Sequence, residues 1–180
     1  MTTLVALLRG VNVGKAKRVP MAELRQLLAA LGYKDVVTLL NSGNAVFRAG
    51  SGAPASHAAG IATAIAGKLK VEVPVVVKSA KELAAIVADN PIKVDAAGHS
   101  RFLVAFTQEP KALRELAVIE RLIEPTERFA VGRHAAYLYC ADGILESKAA
   151  VALLGKTGRR ATTRNLATTL KLHALAEKAG

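Results

Sequence analysis

The chain has 180 residues, 25 of them basic against 14 acidic, for a formal net charge of +11. Its 52% hydrophobic content excludes wholesale disorder, and a chain of this length buries about 70% of the surface its unfolded form exposes. The single cysteine, Cys140, excludes an internal disulfide and any multi-cysteine metal or iron–sulfur site, and it fits a reducing, cytoplasmic setting.

Thr3 to Leu8 is a short apolar run ending at Arg9-Gly10, and it reads as a buried strand with no secretory signal. After the loop Gly10–Gly14, Pro20 opens a helix. Met21, Leu24, Leu27, Leu28 and Leu31 form its apolar stripe, and Gly32 stops it. Val36 to Leu40 and Ala45 to Arg48 are strands joined by the turn Asn41-Ser42-Gly43-Asn44. The Gly/Ser/Pro/Ala stretch 49–56 reads as a loop, followed by a helix marked by Ile61, Ile65 and Leu69 and by a strand over Val73–Val77. Ser79 and Glu82 form a capping box for a third helix that Asn90-Pro91 ends.

The second half has a strand over Phe102–Phe106 and a helix from Pro110 through Leu116. Strands follow near Phe129–Val131 and Ala136–Cys140, then helices over Lys148–Leu154 and from about Thr163 to Lys178. No apolar run reaches the roughly 18 residues of a membrane helix, so no membrane association is expected. The expected fold is α+β, with two ferredoxin-like (split βαβ) subdomains over 1–90 and 91–180 and a C-terminal helix. In the sheet of that fold the end of the first strand and the start of the third lie at one edge, which sets Arg9, Asn12 and Gly14 beside Ser42, Gly43 and Asn44.

The charge is focused. Residues 9–18 carry Arg9, Lys15, Lys17 and Arg18 with no acid, and residues 147–176 carry Lys148, Lys156, Arg159, Arg160, Arg164 and Lys171 with no acid. The remainder is nearly neutral. Such focusing attracts phosphates, acidic metabolites or a polynucleotide backbone, and the competing reading is a pair of solvated loops.

Motifs for chemistry are few. Gly155-Lys156-Thr157 imitates the end of a phosphate-binding loop, but Ala150 stands where that loop needs glycine, and a helix precedes it where a strand is needed. Thr162 or Thr163 is placed to cap a helix whose first amides, with Arg159, Arg160 and Arg164 nearby, suit an anion; the alternative is an ordinary helix start. Tyr137 and Tyr139 share one strand face, as a stacking platform or as packing residues. His57, His99, His134 and His173 lack metal-ligand spacing, and no cofactor motif stands out.

Ala6-Leu7-Leu8-Arg9-Gly10-Val11-Asn12-Val13-Gly14, Val19-Pro20-Met21 and Asn41-Ser42-Gly43-Asn44 resemble a bacterial family of uncharacterised proteins. That family carries the patterns A-L-L-R-G-I-N-V-G-G, V-P-M and Q-S-G-N. Tyr137-Leu138-Tyr139, Ser147-Lys148, Leu154-Gly155 and Thr163-Arg164-Asn165 extend the resemblance to its T-x-R-N signature. Lys15 and Leu166 depart from the usual glycine and tryptophan. The family is a domain of unknown function, so the resemblance implies ferredoxin-like subdomains and no activity.

The functional expectation is an anion-binding protein for a phosphate-containing ligand or nucleic acid. Its composite basic site comprises Arg9, Asn12, Gly14, Ser42, Gly43, Asn44, Lys148, Arg159, Arg160, Arg164 and Asn165, with no metal and no cofactor. The alternative is an enzyme acting on a small phosphorylated or carboxylated metabolite, for which the sequence nominates no acid, base or nucleophile.

Overall fold

Strand β1 (Thr2–Leu8) is apolar at every position from Leu4 to Leu8, and all five side chains are buried. Alternate residues of a strand face opposite sides, so a strand with no polar position in its interior is covered on both faces. A computed structural model describing residues 1–180 shows what that run builds. β1 pairs antiparallel with β3 (Asn44–Ala49) on one side and β4 (Val75–Ser79) on the other, and β2 (Lys34–Leu39) lies outside β3, giving the order β2-β3-β1-β4. Helices α1 (Met21–Ala30) and α2 (Pro54–Leu69) pack on one face. Leu24, Leu27 and Leu28 of α1 and Ala58, Ile61 and Ile65 of α2 meet Leu4, Ala6, Leu8 and Phe47 there.

Local signals set the boundaries. Gly32 has φ +90°, and the bonds Tyr33 N–H to the Leu28 carbonyl (3.2 Å) and Gly32 N–H to the Ala29 carbonyl (3.0 Å) close α1 in a Schellman motif. Ser79 and Glu82 exchange their bonds, Ser79 N–H to Glu82 Oε2 at 2.8 Å and Glu82 N–H to Ser79 Oγ at 3.1 Å, as a capping box opening α3 (Ala80–Ala88).

The second sheet repeats the pattern. β5 (Phe102–Thr107) pairs with β7 (Ala135–Cys140) and β8 (Ala161–Asn165), and β6 (Glu127–Val131) lies outside β7, in the order β6-β7-β5-β8. α4 (Pro110–Glu115), the 3-10 helix Leu116–Leu122 that continues it, and α5 (Lys148–Leu154) cover one face. Leu113, Leu116, Ile119 and Leu153 pack there against Leu103, Ala105, Leu138 and Cys140. The chain divides into two compact units, residues 1–83 with 172–180, and residues 84–171. Each contains the order β-α-β-β-α-β, so the fold class is α+β with two ferredoxin-like sheets and a C-terminal helix, α6 (Leu166–Lys178).

Two expectations are corrected. α2 begins at Pro54, inside the stretch read as a loop, because proline suits the first turn and the alanines that follow are strong helix formers. The residues assigned to the start of the last helix instead form β8, with Thr162 opposite Phe106 and Thr163 opposite Ala105. β-Branched threonines fit a strand there, and helix α6 is capped by Asn165, whose Oδ1 accepts the Thr168 N–H at 2.8 Å.

Gly43 (φ +86°) has no room for a side chain: a Cβ would lie 2.6 Å from Leu8 Cβ and 2.8 Å from Val11 Cγ2. Gly10 has a similar φ of +67° in open space. Gly43→Ala is therefore expected to destabilise the protein by about 2–4 kcal/mol and Gly10→Ala by about 1 kcal/mol, measured by urea unfolding. Equal effects would contradict the close approach.

Candidate functional site

In the first unit the loop after β1 and the turn before β3 are joined by two kinds of bond. The Leu8 N–H donates to the Gly43 carbonyl at 2.8 Å, and Asn12 Nδ2 donates to the Asn41 carbonyl at 2.7 Å. Asn12 also donates to the Val19 carbonyl (2.8 Å) and accepts the Val19 N–H (2.9 Å), so both its amide protons and its oxygen are engaged within the protein. Its φ of +57° is a conformation asparagine tolerates better than most residues. Asn44 is fully buried and donates to the Leu39 carbonyl (2.8 Å) and to Ser42 Oγ (2.9 Å).

Asn12 fastens the two loops together, and Asn44 braces the hairpin of the second. Arg9 is half-buried, its N–H donates to the Pro74 carbonyl at 2.9 Å, and burial holds its guanidinium below the ordinary value. Gly14 (φ +63°) is exposed, as are Lys15, Lys17 and Arg18, and none of these three cations has an ion-pair partner. Arg18 borders a hollow of about 230 Å³ with Asn12, Pro20 and Asn41.

In the second unit the basic loop 155–160 folds back over the end of α5. The Gly155 and Gly158 N–H groups both donate to the Ala152 carbonyl, at 3.2 and 3.3 Å. A Cβ on Gly158 would fall 1.7 Å from the Leu153 carbonyl oxygen, so only glycine permits this return. The loop forms one wall of a cleft of about 460 Å³ with Lys156, Thr157, Arg159 and Arg160. Ala112, Glu115 and Leu116 form the other, and Ala161 completes the lining. Arg160 is held by two carboxylates, Nη2 to Glu109 Oε2 at 2.8 Å and Nη1 to Glu115 Oε2 at 3.0 Å. Lys156 and Arg159 are exposed and have no carboxylate partner.

The other nominated residues have internal work. Lys148 is paired with Glu124 at 3.7 Å. Arg164 is 8% exposed; Nη1 donates to Thr162 Oγ1 (3.0 Å) and the Thr163 carbonyl (2.7 Å), and burial pulls its pKa down to about 10, leaving it charged at neutral pH. Asn165 is the α6 cap, in place of the expected Thr162 or Thr163, which lie in β8. Tyr137 is 1% exposed and its hydroxyl donates to the Ile86 carbonyl at 2.6 Å, while Arg128 lies over the Tyr139 ring at 5.1 Å. The tyrosines are packing residues, and the stacking platform is ruled out. Lys156, Thr157 and Glu115 were not among the nominated site residues. The signal for the first two was present in the glycine spacing 155 and 158, which bends the loop; nothing local marks Glu115, on a distant helix.

The two β-α-β-β-α-β sheets define a class, the α+β proteins built from a pair of ferredoxin-like units. Residues 1–137 match the family described as "Protein of unknown function (DUF1697)", and the chain belongs to that family. The match ends before α5 and the basic loop. The solved structure of SP0830, a conserved bacterial protein from Streptococcus pneumoniae, is similar over 97% of this chain and 98% of its own, with a TM-score of 0.78 and 25% sequence identity. No curated protein matches the chain. No helix is long and apolar enough to cross a membrane.

Because Asn12 makes three bonds that no other side chain replaces, Asn12→Ala is expected to lower stability by about 2–3 kcal/mol. Asn165→Ala, which removes only a cap, is expected to cost about 1 kcal/mol in the same urea titration. A neutral Asn12→Ala would show that the loops hold without it.

Proposed function

We propose that each of the two basic segments offers, within its own unit, a binding surface for a phosphate-containing ligand or nucleic acid. The observation that carries the reading is the set of exposed cations with no carboxylate partner: Lys15, Lys17 and Arg18 in the first unit, Lys156 and Arg159 in the second. All five belong to the segments that hold nearly all of the net charge. A solvated surface intersperses both signs; here no carboxylate forms an ion pair with any of these five. An anion gains most where charge is uncompensated, so the paired Lys148 and Arg160 contribute less than Lys156 and Arg159.

The test is fluorescence anisotropy of a labelled single-stranded oligonucleotide across a salt series. If about four phosphates are neutralised, log K falls with log salt at a slope of about −3, and affinity drops about 60-fold between roughly 50 and 200 mM salt. Replacing both Lys156 and Arg159 by alanine is expected to flatten the slope by about 1.4. A flat salt response in the unmodified protein contradicts a polynucleotide ligand and leaves only the small phosphate-containing one.

A further inference from the structure

The cleft of the second unit carries one group that an anion site does not need. Glu115 lines it together with Lys156, Thr157, Arg159 and Arg160. Oε2 of Glu115 is engaged with Arg160, and no protein group engages Oε1; the Thr157 hydroxyl likewise has no protein partner. A carboxylate beside a bound phosphate is repulsive unless the ligand itself presents a proton donor to it. Ala112, Leu116 and Ala161 are buried, so the surface the cleft offers is mainly polar and suits a hydroxylated ligand. Its volume of about 460 Å³ suits a small molecule.

We propose that this cleft binds a hydroxyl-bearing phosphomonoester, with the phosphate on Lys156 and Arg159 and a ligand hydroxyl donating to Glu115 Oε1. The inference rests on the anion-binding reading and narrows it to one site and one ligand class. Arg160 is the positioning residue. Its guanidinium bridges Glu109 Oε2 and Glu115 Oε2, which restrains the Glu115 carboxylate and leaves Oε1 for the ligand.

The chemistry makes a test with opposite signs. Isothermal titration calorimetry of the full chain uses two probes, ribose 5-phosphate and inorganic phosphate. Glu115→Ala is expected to weaken ribose 5-phosphate about tenfold, by loss of a charge-assisted hydrogen bond, and to strengthen inorganic phosphate, by loss of a repulsive charge. Lys156→Ala and Arg159→Ala are expected to weaken both probes. The melting temperature of each variant is compared with the unmodified protein, since these residues are exposed and their loss leaves the fold intact.

If Glu115→Ala strengthens both probes, the carboxylate only repels and the proposal is wrong. If it weakens both, Glu115 acts solely by holding Arg160, and the proposal is equally wrong. Absence of binding by ribose 5-phosphate also overturns it. In that event a steep salt dependence of oligonucleotide binding would leave the broader reading standing. The predicted split in Glu115→Ala with a flat oligonucleotide response would instead retain this site and remove the polynucleotide.

Discussion

Strands buried on both faces are costly places for charge, and the central strands β1 and β5 carry none. Val5 and Leu7 are as buried as Leu4, Ala6 and Leu8, and every residue of β5 from Phe102 to Thr107 is buried. A cation in such a strand loses its hydration, and the two that are buried show the cost. Arg164 is held near a pKa of about 10 by burial, and Lys78, 4.0 Å from Glu82, is held below its ordinary value mainly by burial despite that carboxylate. The loops 9–18 and 155–160 carry their positive charge at strand and helix ends, where the glycines let the chain turn tightly.

Whether such charge is available to a partner depends on what stands beside it. Arg160 lies between Glu109 and Glu115, and Lys148 beside Glu124; for these an incoming anion must compete with a carboxylate already in place. Lys156 and Arg159 face no such competitor, and the close approach of Gly158 to the Leu153 carbonyl fixes the loop that carries them. The cleft thus combines a tight return of the backbone with two cations that have no ion pair and a single carboxylate held by Arg160. Among the groups lining it Glu115 is the one carboxylic acid, and it is tied to Arg160.

The architecture was legible because its signals are periodic and local. The β1 run, the α1 stripe, the Ser79–Glu82 box and the Asn41–Asn44 turn each announce an element, and their order implies the sheet. The signal failed at β8. Thr162-Thr163 reads equally as a helix cap or a β-branched strand, and only pairing with Phe106 and Ala105 decides between them. The site was less legible than the fold. Asn12, Asn44 and Asn165 look like ligand donors in sequence because a side-chain amide carries no mark of whom it serves; in the structure all three bond within the protein. Charge counting found the basic loop but not its balance, since Glu109 and Glu115 lie some 50 residues from Arg160 and meet it only through the fold. The residues that carried the family resemblance, from Arg9-Gly10 through Asn12 and Gly43, are those that join the first unit's loops.

The central claim is that uncompensated positive charge in the loop after α5 makes a binding site for phosphate. Nuclear magnetic resonance of the isotope-labelled protein, titrated with inorganic phosphate at constant ionic strength, tests it residue by residue. The account predicts saturable shifts of the backbone amides of Lys156, Thr157 and Arg159 and smaller ones at Glu115. Amide shifts that never saturate, or that appear only outside residues 112–116 and 155–161, would contradict it.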